Sequence, residues 1–100
     1  MNNLINWQKL SVEKMSMLSL KDGKYIQGED NFHYPFMICV GKDRHNMVRL
    51  YLIDCVMSDY VMFSLSTEEQ AELKAFAIIQ YLFQNGKVMD LINDKGVQST

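Results

Sequence analysis

A chain of 100 residues with 48% apolar and 22% charged side chains can build one core but not a deep, enclosed active site. That balance is a globular and not a disordered composition, and one Pro and five Gly leave few breaks in regular structure. A formal net charge of −2 lacks the basic excess with which a general nucleic-acid binder displaces counterions.

The first segment, residues 3–10, spaces Leu4, Trp7 and Leu10 like one face of a short helix. It is too short to stand alone and must dock on the rest of the chain. Residues 12–20 could extend that helix, but the polar positions between Met15 and Met17 and beyond favour a strand. Asp22-Gly23 suits a type I′ turn, which would join residues 13–20 to Tyr25, Ile26 and Gln27 as a hairpin. Gly28 to Asn31 reads as a loop.

Residues 32–40 read as a strand with Phe32, Tyr34, Phe36, Ile38 and Val40 on one face and His33, Pro35, Met37 and Cys39 on the other. Pro35 cannot donate to a ladder, which predicts an edge position or a bulge. A polar connection from Gly41 to Asn46 leads into a long apolar strand over 47–57. Ser58-Asp59 then turns the chain into a return strand over 60–65. A turn centred near Asp43 and Arg44 sets Cys39 opposite Val48 and Cys55 opposite Phe32. The second turn sets Cys55 opposite Met62 and Asp54 opposite Phe63. The two thiols are then too far apart to bridge, and both read as free and buried.

Ser66-Thr67-Glu68-Glu69-Gln70 offers two overlapping capping boxes, and Glu68, Glu69 and Glu72 suit the positive end of a helix dipole. The spacing predicts a helix over 67–85 with Gly86 as its stop. Its apolar stripe is wider than one sheet face requires, so the N-terminal segment, the stretch after Gly86 or a second subunit must cover part of it. Val88 to Ile92 could be a short strand or a helical turn, and residues 93–100 read as a frayed tail. The architecture this predicts is a single α+β domain over 1–100. An antiparallel four- to five-stranded meander sheet carries one long C-terminal helix, with a short N-terminal helical segment.

No signal peptide or membrane span is evident, which predicts a cytoplasmic protein. No phosphate-binding glycine loop, zinc-ligand spacing or nucleophile motif occurs, so no cofactor, metal or catalytic residue is expected. Cys39, Cys55, His33 and His45 are the only components of a thiol enzyme, the least favoured of three function classes. Asp54, alone within an apolar strand, is expected to face solvent or to sit at a bulge. Lys42, Arg44 and His45 make a small basic tip without an aromatic platform. The strand aromatics Tyr25, Phe32, Tyr34 and Tyr51, with Met37, could form a partly apolar sheet face for a protein partner.

Charge is uneven along the chain. Residues 1–50 carry seven Lys/Arg and five Asp/Glu, and residues 51–100 carry three and seven. Asp59, Glu68, Glu69 and Glu72 are therefore the candidate partner-binding residues, an acidic patch for a basic protein surface. The function this suggests is a small non-enzymatic protein-binding protein, an inhibitor or immunity or anti-defence type factor. The alternative is a homodimeric structural or accessory subunit.

Overall fold

The computed structural model describes residues 5–99, with side chains through Asn93. Its elements are β1 (Gln8–Lys9), α1 (Val12–Met17), β2 (Lys24–Glu29), β3 (Pro35–Lys42), β4 (Val48–Asp54), β5 (Tyr60–Leu65), α2 (Glu68–Gln84) and α3 (Val88–Ser99). The strands form one antiparallel sheet in sequential order, so the chain has the α+β meander architecture that its patterning predicted.

Period-2 alternation divides the sheet into two faces. Phe36, Ile38 and Val40 of β3, Leu50 and Leu52 of β4 and Val61 of β5 lie on the inner face, buried against Ala71, Ala75, Ile78 and Leu82 of α2. Val88 and Ile92 of α3 and Ile5 join the same cluster. The stretch after Gly86 packs on β4 and β5 beside α2, within the same core cluster. Leu73, Tyr81 and Phe83 of the wide apolar stripe of α2 remain exposed. A smaller cluster on the outer face sets Leu10, Leu20 and Cys39 beneath Met15 and Leu18, beside Tyr25, Met37, Tyr51 and Ile53.

Helix α2 begins where its caps dictate. The Thr67 hydroxyl accepts from the Gln70 amide at 3.1 Å, and the Gln70 side chain accepts from the Ser66 amide at 2.9 Å. It ends at Asn85, where the amides of Asn85 and Gly86 both donate to the Tyr81 carbonyl. Gly86 acts through space rather than through left-handed backbone: a Cβ there would run into the Tyr81 ring. The chain then continues as α3 to Ser99, in place of the short element and tail expected there.

The N-terminal third differs from its sequence reading. Gln8–Lys9 is a strand paired with Tyr25 and Lys24, and the helix lies one segment later, at Val12–Met17. Asn3 and Leu4, in the predicted helical segment, lie outside the described residues. Ser11 caps α1 through its hydroxyl. Ser19, at φ 61°, then reverses the chain while the Leu20 amide donates to the Met15 carbonyl at 2.8 Å. Asp22-Gly23 is not a type I′ turn, since neither residue has positive φ. Instead residues 20–23 run alongside the end of β3. The Lys21 amide donates to the Lys42 carbonyl, the Lys42 amide donates to Asp22, and Gly41 admits the Asp22 carbonyl at a distance no Cβ would allow.

Each hairpin turn of β2 to β5 is organised by an aspartate at its first corner. The Asp30 amide donates to the Tyr34 carbonyl while the His33 amide donates back to the Asp30 carbonyl, and His33 sits at φ 65°. Asp43, Met47 and Asn46 (φ 63°) repeat the pattern. Asp54, Asp59 and Ser58 (φ 66°) repeat it with one more residue. A turn closed by a left-handed residue is the three-residue hairpin with a bulge, here without glycine.

These corners set the register. Asp43 closes its turn on Met47, so Cys39 faces Tyr51 rather than Val48. Asp54 closes on Asp59, so Phe63 faces Leu50, Met62 faces Tyr51, and Cys55 lies in the turn rather than opposite Phe32 or Met62. Pro35 is the first residue of a central strand, facing Glu29, rather than a marker of an edge.

Candidate functional site

The predicted acidic residues divide between two ends of the molecule. Glu68, Glu69 and Glu72 share the first two turns of α2. Asp59 precedes the opposite end of β5, and six residues of strand separate the two ends by ~20 Å. Two of the glutamates are partnered. The Trp7 indole N–H donates to Glu72 Oε1 at 2.8 Å, Lys24 Nζ lies 3.6 Å from the same oxygen and 4.7 Å from the Trp7 ring centroid, and Lys42 Nζ lies 3.6 Å from Glu68. Glu69 and Asp59 are exposed and have no ion pair among the described residues. The lysines that neutralise this end come from β2 and β3, elements distant from the helix in sequence.

Cys39 is fully buried on the outer face under α1, and burial pushes its thiol up to about 12. Cys55 is exposed at the start of the β4–β5 turn, contrary to the expectation of a buried thiol. Its partial burial raises its pKa, opposed by a hydrogen bond from Gln27. Both cysteines are free. His33 and His45 sit in turns, and among the described residues no group of three His, Cys, Asp or Glu could hold a metal ion.

Asp54 is fully buried, which corrects its expected exposure. Its Oδ1 accepts from the Val56 and Met57 amides at 2.8 and 3.1 Å, and its Oδ2 accepts from the Tyr34 hydroxyl at 2.9 Å. Burial alone would raise this carboxyl, but the Met57 and Val56 amides and the Tyr34 hydroxyl outweigh it and hold it below 3.8. Tyr34 is raised in turn, by burial and by its bond to Asp54. Asp43 accepts from the His45 and Met47 amides and from Arg49 Nε at 3.0 Å, and Asp30 accepts from the amides of Phe32, Tyr34 and Val88. These three aspartates are engaged in holding turns, which accounts for their burial.

Small clefts are modest. One of about 260 Å³, lined by Asp30, Phe32, Tyr34, Lys87, Val88 and Met89, lies where the β2–β3 turn meets α3, with Lys87 Nζ 5.0 Å from the Phe32 ring centroid. That is below the ~300–1,000 Å³ usual for small-molecule sites. No helix among the described residues is long and apolar enough to cross a membrane.

The β5 side of the sheet is an unpartnered strand edge flanked by exposed apolar side chains. Among the described residues no strand pairs with β5 on its far side. Tyr60, Met62 and Ser64 project onto the outer face next to Tyr51 and Ile53. The Tyr60 ring packs edge-on against Tyr51 at 5.7 Å, and Tyr60 remains 59% exposed. Val56 and Met57 in the adjoining turn are exposed as well. Of the residues read as a binding face, Tyr51 borders this surface and Tyr25 and Met37 share its side of the sheet, whereas Phe32 lies in the β2–β3 turn and Tyr34 packs on the inner cluster; no residue of β5 was among them. The available signal was a strand of six uncharged residues, Tyr-Val-Met-Phe-Ser-Leu, at the end of a meander. No family model, no curated protein and no solved structure matches this chain.

Proposed function

We propose that this chain works by binding another protein chain, as an inhibitor or accessory factor rather than an enzyme, and that it does so through the β5 side of its sheet. The observation that carries this reading is that, among the described residues, no strand covers the edge of β5 beside the exposed Tyr60, Val56 and Met57. An open edge offers a row of main-chain donors and acceptors, and a flanking apolar face adds area and specificity, the combination used in strand-addition recognition. The use of Asp30, Asp43 and Asp54 in turn hydrogen bonds supports a non-catalytic role.

The acidic surface offers less to a basic partner than its charge count suggests. Lys42 and Lys24 already sit against Glu68 and Glu72, leaving Glu69 and Asp59 at separate places. Exposed ion pairs of this kind are worth ~0–1 kcal/mol, so a stronger basic partner could displace them, but they lower the field such a partner would meet.

Site-specific photo-cross-linking in the native host tests the reading. A cross-linker at Tyr60 should capture a protein, and one at Leu73 on the outer face of α2 should capture none. Capture from Glu69 alone would move the interface to the acidic end, and capture from neither Tyr60 nor Glu69 would overturn the reading.

A further inference from the structure

We infer that the chain seated on β5 is a second copy of this chain, the two β5 strands pairing antiparallel about a twofold axis at Met62. This rests on the reading of the β5 side as a protein-binding surface, names its occupant, and with it selects the self-associating accessory role over the inhibitor one.

The hydrogen-bond phase of β5 fixes which groups face outward. The Asp54 amide donates to the Asp59 carbonyl at 2.8 Å, and pairs along an antiparallel ladder alternate between bonded and non-bonded. Val61, Phe63 and Leu65 therefore direct their amides and carbonyls at Leu52, Leu50 and Val48. Tyr60, Met62 and Ser64 direct theirs away from the sheet.

These three residues are spaced for self-pairing. With Met62 opposite Met62 of the second copy, Tyr60 falls opposite Ser64 and Ser64 opposite Tyr60. Every outward residue then meets an outward residue, and three bonded pairs form, each exchanging two main-chain hydrogen bonds. A one-residue slip would set outward groups against inward ones and lose the match. The arrangement is isologous, as a twofold dimer requires, and joins two five-stranded sheets into one.

Charge is compatible with this pairing. β5 carries no charged residue, so no like charges meet across the axis. Two cations lie beside it: Arg49 on β4, which is held by Asp43 at 2.9 Å and donates to the Ser64 hydroxyl at 2.6 Å and to Met62 Sδ at 3.4 Å, and Lys74 of α2, whose Nζ lies 4.4 Å from the Phe63 ring centroid. Monomeric proteins usually guard such an edge with lysine, proline or a bulge. β5 has no Lys or Pro and pairs with β4 without interruption, whereas the opposite edge is a two-residue strand that includes Lys9, beside a β2 that begins with Lys24 and ends with Glu29. The contrast between the two edges favours a partner that fits β5 alone.

Stable interfaces bury ~800 Å² per partner, and a single six-residue strand pair falls short of that, so the dimer should dissociate on dilution. Sedimentation of the full chain over a concentration series should show the mass rising from 11.7 kDa toward twice that value. Met62→Lys, which sets two like charges on the axis, and Ser64→Pro, which removes an outward amide and the hydroxyl that accepts from Arg49 but no main-chain bond of the β4 ladder, should each abolish the rise. Both variants should keep the native circular dichroism spectrum. Should one of them unfold, the other decides. A wild-type chain that stays monomeric at near-millimolar concentration, or a dimer untouched by the folded variants, would overturn self-pairing. Capture of a different protein from Tyr60 in the cross-linking experiment, with a monomeric chain in sedimentation, would remove the second copy while leaving the protein-binding reading intact.

Discussion

Replacing Asp30 by alanine removes one carboxylate that ties three parts of the fold together. Its Oδ1 accepts from the Phe32 and Tyr34 amides at 2.8 and 3.1 Å, and its Oδ2 accepts from the Val88 amide at 3.0 Å, at the start of α3. Val88 is fully buried, so its amide would be left without water or partner, which costs ~1–3 kcal/mol. The turn amides lie in partly buried surroundings and recover some hydration, adding about 1 kcal/mol together. The expected loss is ~2–4 kcal/mol, a large share of the ~5–15 kcal/mol that stabilises a domain. For this length that lowers Tm by about 8–32 °C. The same carboxyl predicts an acid dependence. Burial would raise it, but the amides of Val88, Phe32 and Tyr34 and the charge of Lys87 outweigh burial and hold it below 3.8. Its contribution is complete above 3.8, declines as the unfolded chain takes up the proton first, and is gone once pH falls below the folded value. Denaturant titration of Asp30→Ala at neutral pH and across the acid range measures both effects. A change under about 0.5 kcal/mol at neutral pH, or an acid limb identical to wild type, would refute the reasoning.

Other perturbations follow from the same geometry. Ser58→Gly relieves a left-handed residue in the β4–β5 turn and should stabilise by about 0.5–1 kcal/mol in thermal unfolding; a loss would mean the Ser58 side chain has an unrecognised role. Gly41→Ala sets a methyl against the Asp22 carbonyl and should cost ~1–3 kcal/mol, with residues 20–23 losing amide protection first; a neutral result would show that this segment yields freely. Alkylation of the native chain should modify Cys55 alone, and both thiols only after unfolding, because the Cys39 thiol is buried and raised to about 12; native modification of Cys39 would contradict its place under α1.

The long helix was legible because its signals are local: Thr67 and Gln70 form the cap that the sequence offers, and the apolar spacing follows within one stretch of chain. Strand order was legible because short turns force sequential neighbours to pair. Register was not, because it depends on where each aspartate closes its turn. Asp43 reads as a loop residue and Asp54 as a strand residue that faces solvent or sits at a bulge, yet each gathers amides from two or more positions ahead. The left-handed His33, Asn46 and Ser58 occupy positions where glycine is the usual signal, so the bulges left no familiar mark. The acidic set looked coherent in sequence because charges there were counted without the lysines that β2 and β3 bring to α2. The edge of β5 was hidden for the opposite reason: an uncharged strand reads as interior until the strand order shows that, among the described residues, no further strand pairs beyond it.

Amide hydrogen exchange along β5 reads the proposed interface most directly. In dilute solution Val61, Phe63 and Leu65 should be protected while Tyr60, Met62 and Ser64 exchange rapidly, and the latter three should gain protection together as concentration rises. Protection of all six residues at every dilution, or no gain for the outward three at any concentration, would contradict a β5 edge that is open in the monomer and closed by a second copy.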